Sequence, residues 1–198
     1  MKVIIVGHPS RAAHIGKLVT HLPVVATVVD TISAWSGHNT ALRLASQCDE
    51  RVAIMEDDAI PVEQWDALSD WWDMQRPHDL ISFYLGTSRP REFQSLIDMR
   101  IRQAELIGEK DIYLSRLIHG VCYSVPRAHV HVVVERMNRE RREADFAIGN
   151  AWGRSVCYPI ESLVQHRDEA PVEKHPDGEP RKELRVARRL AGSLMFEP

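Results

Sequence analysis

An α/β domain with a mostly parallel central sheet flanked by helices is predicted by three observations. Short apolar runs bounded by polar punctuation recur as far as residue 160, as strands buried on both faces do. Between them lie segments with apolar residues at i, i+3, i+4 and i+7, the spacing of amphipathic helices. One apolar run, Val52-Ala53-Ile54-Met55, ends in three carboxylates, Glu56-Asp57-Asp58. The carboxyl end of a strand is where an open α/β sheet binds ligands.

The bulk numbers fit one substantial domain: 198 residues, 44% apolar, 27% charged, net charge −3. No run approaches the ~20 apolar residues of a membrane span, and no apolar leader follows Met1-Lys2. Cys48, Cys122 and Cys157 are widely spaced and odd in number. That argues against a disulfide framework or zinc cluster and predicts a reducing, cytoplasmic setting. Arginine outnumbers lysine 20 to 5, a weak pointer to phosphate-bearing ligands.

In order, Lys2-Val3-Ile4-Ile5-Val6-Gly7 reads as a first strand closed by a Gly-His-Pro-Ser turn, without a GxGxxG fingerprint. Residues 11–21 read as a helix, and Val24-Val25-Ala26-Thr27-Val28-Val29 as a second strand ending at Asp30. That aspartate either meets a ribose or base or caps a turn. Trp35-Ser36-Gly37-His38-Asn39-Thr40 reads as a polar turn before a helix whose apolar face is Ala41, Leu44, Ala45 and Cys48. The strand with the acids follows. Pro61 then sits at a first helical position, placing the acids at a strand-to-helix turn, with a helix over 61–75 carrying core tryptophans.

Residues 80–86 read as the next strand. The basic stretch 87–111 holds a short helix around Phe93, Leu96, Ile97 and Ile101 and covers or selects a substrate. Residues 118–125 form a strand, 126–142 a helix, and Asp145 caps a short helix through Trp152. A last strand spans 156–160, and 162–168 lead out of the core. Residues 170–181 have a linker composition, followed by a basic amphipathic helix with Leu184, Ala187, Ala191 and Leu194 on one side. The domain boundary thus falls at 1–169, with 170–198 as linker and basic tail.

The three acids carry the chemistry. Two like charges about 4 Å apart repel by roughly 4 kcal/mol at an effective dielectric of about 20. The three acids either form a solvated acidic turn or gather something positive, for which Mg²⁺ or Mn²⁺ is the natural candidate, since it takes carboxylate oxygens and keeps positions open for phosphates.

With this order of parts, Met55-Glu56-Asp57-Asp58-Ala59-Ile60-Pro61 resembles the Glu-Asp-Asp version of the Asp-x-Asp motif in GT-A nucleotide-sugar glycosyltransferases. It is similar to the family of lipopolysaccharide and procollagen galactosyltransferases. His119-Gly120 with Tyr123-Ser124-Val125-Pro126 resembles a later segment of that family, and the likeness covers residues 1–168. It implies a single GT-A (Rossmann-like) domain that moves a hexose from a nucleotide-sugar, most often a UDP-sugar, with Mn²⁺ or Mg²⁺. Asp58 would bind the metal. Glu56 would hold the ribose or the metal shell, and Asp57 would support both. His166 is either a last metal ligand or a surface histidine. Asp30, His8 and Arg11 would meet the nucleotide, and Asn39 the nucleotide or sugar. Asp145 is either an inverting enzyme's base or a helix cap, with Glu143 in reserve.

The resemblance leaves the acceptor open. Basic segments at 89–102, 127–142 and 181–189 suit a polyanion, and compact bacteriophage enzymes of this kind glycosylate hydroxymethylated pyrimidines in DNA. A glycan or lipid-linked acceptor is the alternative. Two other classes share the acid cluster: a metal-dependent phosphohydrolase or nucleotidyltransferase, and a nucleotide-binding regulatory module.

Overall fold

The computed structural model describes residues 1–139, 142–167 and 183–197. The expected linker at 170–181 and the end of the expected exit segment, Asp168, lie outside the described residues. In chain order the elements are β1 (Val3–Gly7), α1 (Ala12–His21), β2 (Val24–Val29), α2 (Ala34–Ala45), β3 (Ala53–Glu56), β4 (Ala59–Pro61) and α3 (Trp65–Gln75). There follow β5 (Ile81–Ser82), α4 (Arg91–Ile107), β6 (Asp111–Leu114), β7 (Cys122–Ser124), α5 (Val130–Met137), α6 (Ala144–Trp152), β8 (Val156–Pro159) and β9 (Val164–His166).

Seven strands form one sheet in the order β2-β1-β3-β7-β5-β8-β6. β1 pairs parallel with β2 and β3, and β5 parallel with β8, while β7 and β6 run antiparallel to their neighbours. Five of the seven strands therefore share one direction, and the chain is an α/β protein of Rossmann-like architecture. β4 and β9 make a separate two-stranded sheet.

The continuous apolar runs follow from burial on both faces. Along β1, Ile4 and Val6 enter one core with α2, α4, α5 and α6, while Val3 and Ile5 enter the other with α1 and α3. In β3, Ile54 faces the first core, and Ala53 and Met55 the second. Trp65 is fully buried, donates its indole N–H to the Met1 carbonyl at 3.1 Å and packs edge-on against Phe83, so this tryptophan is core.

Several boundaries differ from the expectation. Pro61 closes β4 instead of opening a helix, because residues 59–61 pair with β9. The acids thus lie in a turn between two strands. Residues 35–40 belong to α2, since the Ser33 hydroxyl accepts from the Ser36 N–H at 3.1 Å and starts the helix earlier. The short helix near Phe93 is a 17-residue helix ended by Gly108 in the left-handed conformation, φ 77°. The following edge strand β6 was not foreseen. Strand and helix over 118–142 shrink to β7, a 3₁₀ turn at Arg127–His129 and α5.

The expected C-terminal helix is absent among the described residues. Residues 183–197 instead form an irregular strap, bridged at Ala187 to Gly86, at Leu190 to Ser162 and at Leu194 to Val62. Backbone pairing to three separate elements outweighs a weak helical periodicity. Ala187, Ala191 and Leu194 do pack on the second core, but Leu184 is 66% exposed.

Candidate active site

The carboxyl ends of β1, β2 and β3, and the chain entering β7, meet at one edge of the sheet around a cleft of about 1190 Å³. Nine of the ten side chains singled out from sequence line it: His8, Arg11, Asp30, Glu56, Asp57, Asp58, Glu143, Asp145 and His166. Asn39 is the exception. It follows the cleft residue His38 on α2, but its side chain joins α2 to the end of α5 by donating to Asn138 Oδ1 (3.0 Å) and accepting from Arg43 Nε (2.9 Å).

The positive charge demanded by the acids is supplied within the chain. Arg11 Nη1 donates to Asp57 Oδ1 at 2.8 Å and to Asp58 Oδ2 at 2.6 Å. Burial opposes the guanidinium charge, but Asp58 and Asp57 outweigh it and raise its pKa. Asp57 also accepts from the His8 N–H at 2.7 Å. Burial and Asp58 nevertheless carry its carboxyl pKa upward. Gly7 makes this approach possible, since a Cβ there would lie 2.9 Å from Asp57 Oδ2 and Cβ. Asp57 is therefore anchored to the β1 turn.

The expected metal trio is not assembled. Among the described residues, no three His, Cys, Asp or Glu side chains are clustered to hold a metal ion. Asp58 and His166 do meet, with His166 Nε2 3.5 Å from Asp58 Oδ2, whereas Glu56 turns to His38. Asp58 Oδ1 and His166 Nδ1 are buried without a hydrogen-bond partner. Burial and Arg185 lower the imidazole pKa of His166 against the opposing pull of Asp58, which favours a neutral ligand. Mg²⁺ is commonly held by one or two carboxylates together with waters and substrate phosphates, so this pair fits half of such a site.

Glu56 closes the floor. Its Oε1 lies 3.1 Å from His38 Nε2, and His38 Nδ1 lies 3.1 Å from the Tyr123 hydroxyl. The imidazole is fully buried, so the two contacts are satisfied together by an Nε2–H tautomer with Tyr123 donating. Burial pushes the Glu56 carboxyl up, but the His38 hydrogen bond and nearby positive charge prevail and its pKa is lowered. Gly120 lies between Glu56 and Asp145: a Cβ there would come within 3.1 Å of Glu56 Oε1 and 3.7 Å of Asp145 Cβ.

Asp145 lies in the first turn of α6, where Glu143 holds the cap position without a side-chain capping bond. Its Oδ1 accepts from the adjacent Phe146 N–H, at 2.8 Å. Burial, with Glu56 nearby, pushes its pKa up to about 6. A carboxyl poised there can take a proton near neutral pH. Glu143 lines the same cleft but is exposed. On the β2 side, Asp30 Oδ1 accepts from the Ile32 N–H at 2.6 Å. Burial opposes ionisation of Asp30, but bonds from Ser36, Ile32 and Ser33 lower its pKa.

Sequence reasoning missed His38, His119 and Arg185 as site residues. His119 Nε2 accepts from the Gly86 N–H at 3.2 Å, and burial with His166 pushes its pKa down to about 3, leaving it neutral. A buried histidine on a helix beside a carboxylate has no local signature. Arg185 arrives from the strap, across a stretch of sequence with no pattern tying it to the cleft.

No protein-family model and no curated protein matches this chain. In structure it is similar to A197 from STIV, known from a crystal structure, with a TM-score of 0.50 and 11% identity over 100% of this chain and 99% of that one. At that identity the likeness speaks for the fold alone.

Proposed function

We propose that this protein is a GT-A type glycosyltransferase that moves a hexose from a nucleotide-sugar, a UDP-hexose by preference, to an acceptor hydroxyl with inversion. The observation that carries the reading is the convergence of Asp58 and His166 with a proton-accepting Asp145 in one cleft at the carboxyl ends of parallel strands. Asp145 takes the proton of the acceptor hydroxyl as that oxygen bonds the anomeric carbon. The bond from this carbon to the phosphate oxygen breaks, and its electron pair leaves with the nucleoside diphosphate. Asp58 and His166 would hold a divalent cation, and when bound it would neutralise charge on the leaving diphosphate. Glu56, held by His38, and Asp30 are placed to accept hydrogen bonds from ribose hydroxyls. Arg89, Arg91, Arg116 and Arg142 also line the cleft, which suits an anionic acceptor such as hydroxymethylated DNA in a phage-infected cytoplasm; a glycan or lipid-linked acceptor is the alternative.

One observation favours a second reading of the leaving-group chemistry. Arg11 already neutralises Asp57 and Asp58, so those acids need no metal ion, and the other arginines that line the cleft can meet the diphosphate. Thermal unfolding with UDP-, GDP-, CMP- and ADP-sugars, with Mn²⁺ and with chelator, tests both, since a ligand of the native state raises the midpoint. A Mn²⁺-dependent shift with one nucleotide, lost in Asp58→Asn, supports the metal-dependent transferase. A shift indifferent to chelator supports the arginine-only form. No shift with any nucleotide rejects the donor site. Cleavage of phosphodiesters would instead support a phosphohydrolase, and function surviving Asp58→Asn a regulatory module.

A further inference from the structure

The strap at 183–197 is placed by bonds on both sides of its first turn. The Val186 carbonyl accepts from the Thr87 N–H at 3.0 Å, and the Ala187 N–H donates to Gln165 Oε1 at 2.7 Å. Gln165 immediately precedes His166 in β9, and Thr87 follows the cleft residue Gly86. Farther on, the Arg188 N–H donates to the Leu85 carbonyl at 2.9 Å, and its guanidinium bonds Asp98 and Gln94 on α4. The residue just before this pinned stretch is Arg185, and its half-buried side chain lines the cleft. Its charge acts on both Glu56 and His166, the acids' side of the site. The residue itself sits on a piece of chain that is otherwise concerned with covering the second core.

We propose that Arg185 is a ligand-binding residue of the cleft, recognising the diphosphate of a nucleoside diphosphate, and that strap residues 186–188 position it beside His166. The inference rests on the donor-site reading above. Three features suit a diphosphate better than a sugar or a base. The guanidinium presents a planar fork of donors to phosphate oxygens. It lines the same cleft as the Asp58–His166 pair, which would share the same phosphates through a cation. The backbone that follows it is held by bonds to Thr87, Gln165 and Leu85, so little backbone order is lost on binding. Arg11 reaches the acids from the β1 turn, and Arg185 adds a cation to the lining from the strap.

The test is isothermal titration of the full chain with UDP, GDP, CDP and ADP, with inorganic pyrophosphate and with the corresponding nucleosides, each in MnCl₂. The expected result is that wild type binds one diphosphate, and that Arg185→Ala weakens it and pyrophosphate by about 10- to 100-fold, the loss of a charge-assisted contact. Arg185→Lys recovers part of this, and nucleoside affinity does not change. Arg188→Ala, which unties the strap from α4, shifts diphosphate affinity in the same direction while nucleoside affinity holds. Equal diphosphate affinity in wild type and Arg185→Ala overturns the inference and leaves the donor site standing. A parallel loss of nucleoside and diphosphate affinity also overturns it, because the residue would then be shaping the cleft. If wild type binds no nucleotide and no pyrophosphate, the donor-site reading falls and takes this one with it.

Discussion

Asp145 combines two demands that oppose each other. Its pKa is pushed from 3.8 to about 6, so between these values the folded protein keeps a proton that the unfolded chain has released. Stability from this group therefore falls as pH rises through that window, and the full cost is present above pH 6. A displacement of that size corresponds to about 3 kcal/mol. Asp145→Asn is thus expected to raise stability at pH 7.5 by up to about that amount in urea titrations, while lowering turnover by about 10²- to 10⁴-fold. Wild-type kcat/KM should fall below an apparent pKa near 6; a flat profile from pH 5 to 8 would remove Asp145 as the base. Arg11 makes the converse case. Its side chain is 10% exposed between two carboxylates that are 7% exposed, and Arg11→Ala takes the guanidinium away from both. A loss of about 3–5 kcal/mol is expected, partly restored by adding Asp58→Asn. If Asp58 binds metal, Mn²⁺ should also stabilise Arg11→Ala more than wild type. The sequence did show that the acids need a cation, but not that a residue 46 positions earlier would provide it.

At the level of elements, what was legible is what repeats. β1, β3 and β8 announce themselves because burial on both faces requires unbroken apolar runs, and β2 carries the same kind of run at a half-exposed edge. β6 does not, as its first residue is a charge: Asp111 receives Arg76 Nε at 2.6 Å and Nη2 at 3.1 Å, a partner that no local pattern reveals. β4 was hidden by Pro61, which reads as a helix start until β9 is known to lie beside it. In α2, Gly37 suggested a turn, yet a side chain there would collide with Val6 at 2.8 Å, so the glycine serves close packing of helix on sheet. Long-range polar clamps are equally silent. Arg51 ties the end of α3 to β7 by donating to Asp73 (3.0 Å) and to the carbonyls of Arg76 (3.0 Å), Asp79 (2.5 Å) and Ser124 (3.1 Å). Arg51→Ala takes the donor from one buried and three part-buried acceptors, and a cost of about 1–3 kcal/mol in denaturant unfolding is expected. Lysine should rescue little, because a single ammonium cannot span four acceptors set out for a fork.

For the whole molecule, the strap links stability to the site. Leu190, Leu194, Met195 and Phe196 pack against the second core, and partial burial of four such side chains contributes about 3–5 kcal/mol. Removing residues 186–198 should lower the unfolding midpoint accordingly and weaken diphosphate affinity. A truncated chain of unchanged stability would show the strap to be a passenger. Six of the nine cleft residues, from His8 to Asp58, lie at or follow the carboxyl ends of β1, β2 and β3, where sheet topology concentrates chain, while Glu143 and Asp145 come from the start of α6 and His166 from β9. Arg185 is missed because the weak helical period of the strap carries no sign of the cleft.

That the cleft draws on residues from Val6 to Arg185 has a consequence for synthesis. A ribosome delivers β1 with its turn early, then β8, the last strand of the seven-stranded sheet, and Arg185 after it, so a nascent chain can complete its pocket only after its sheet. Ligand then favours the sheet with its strap docked and offers no guide to the earlier steps of folding.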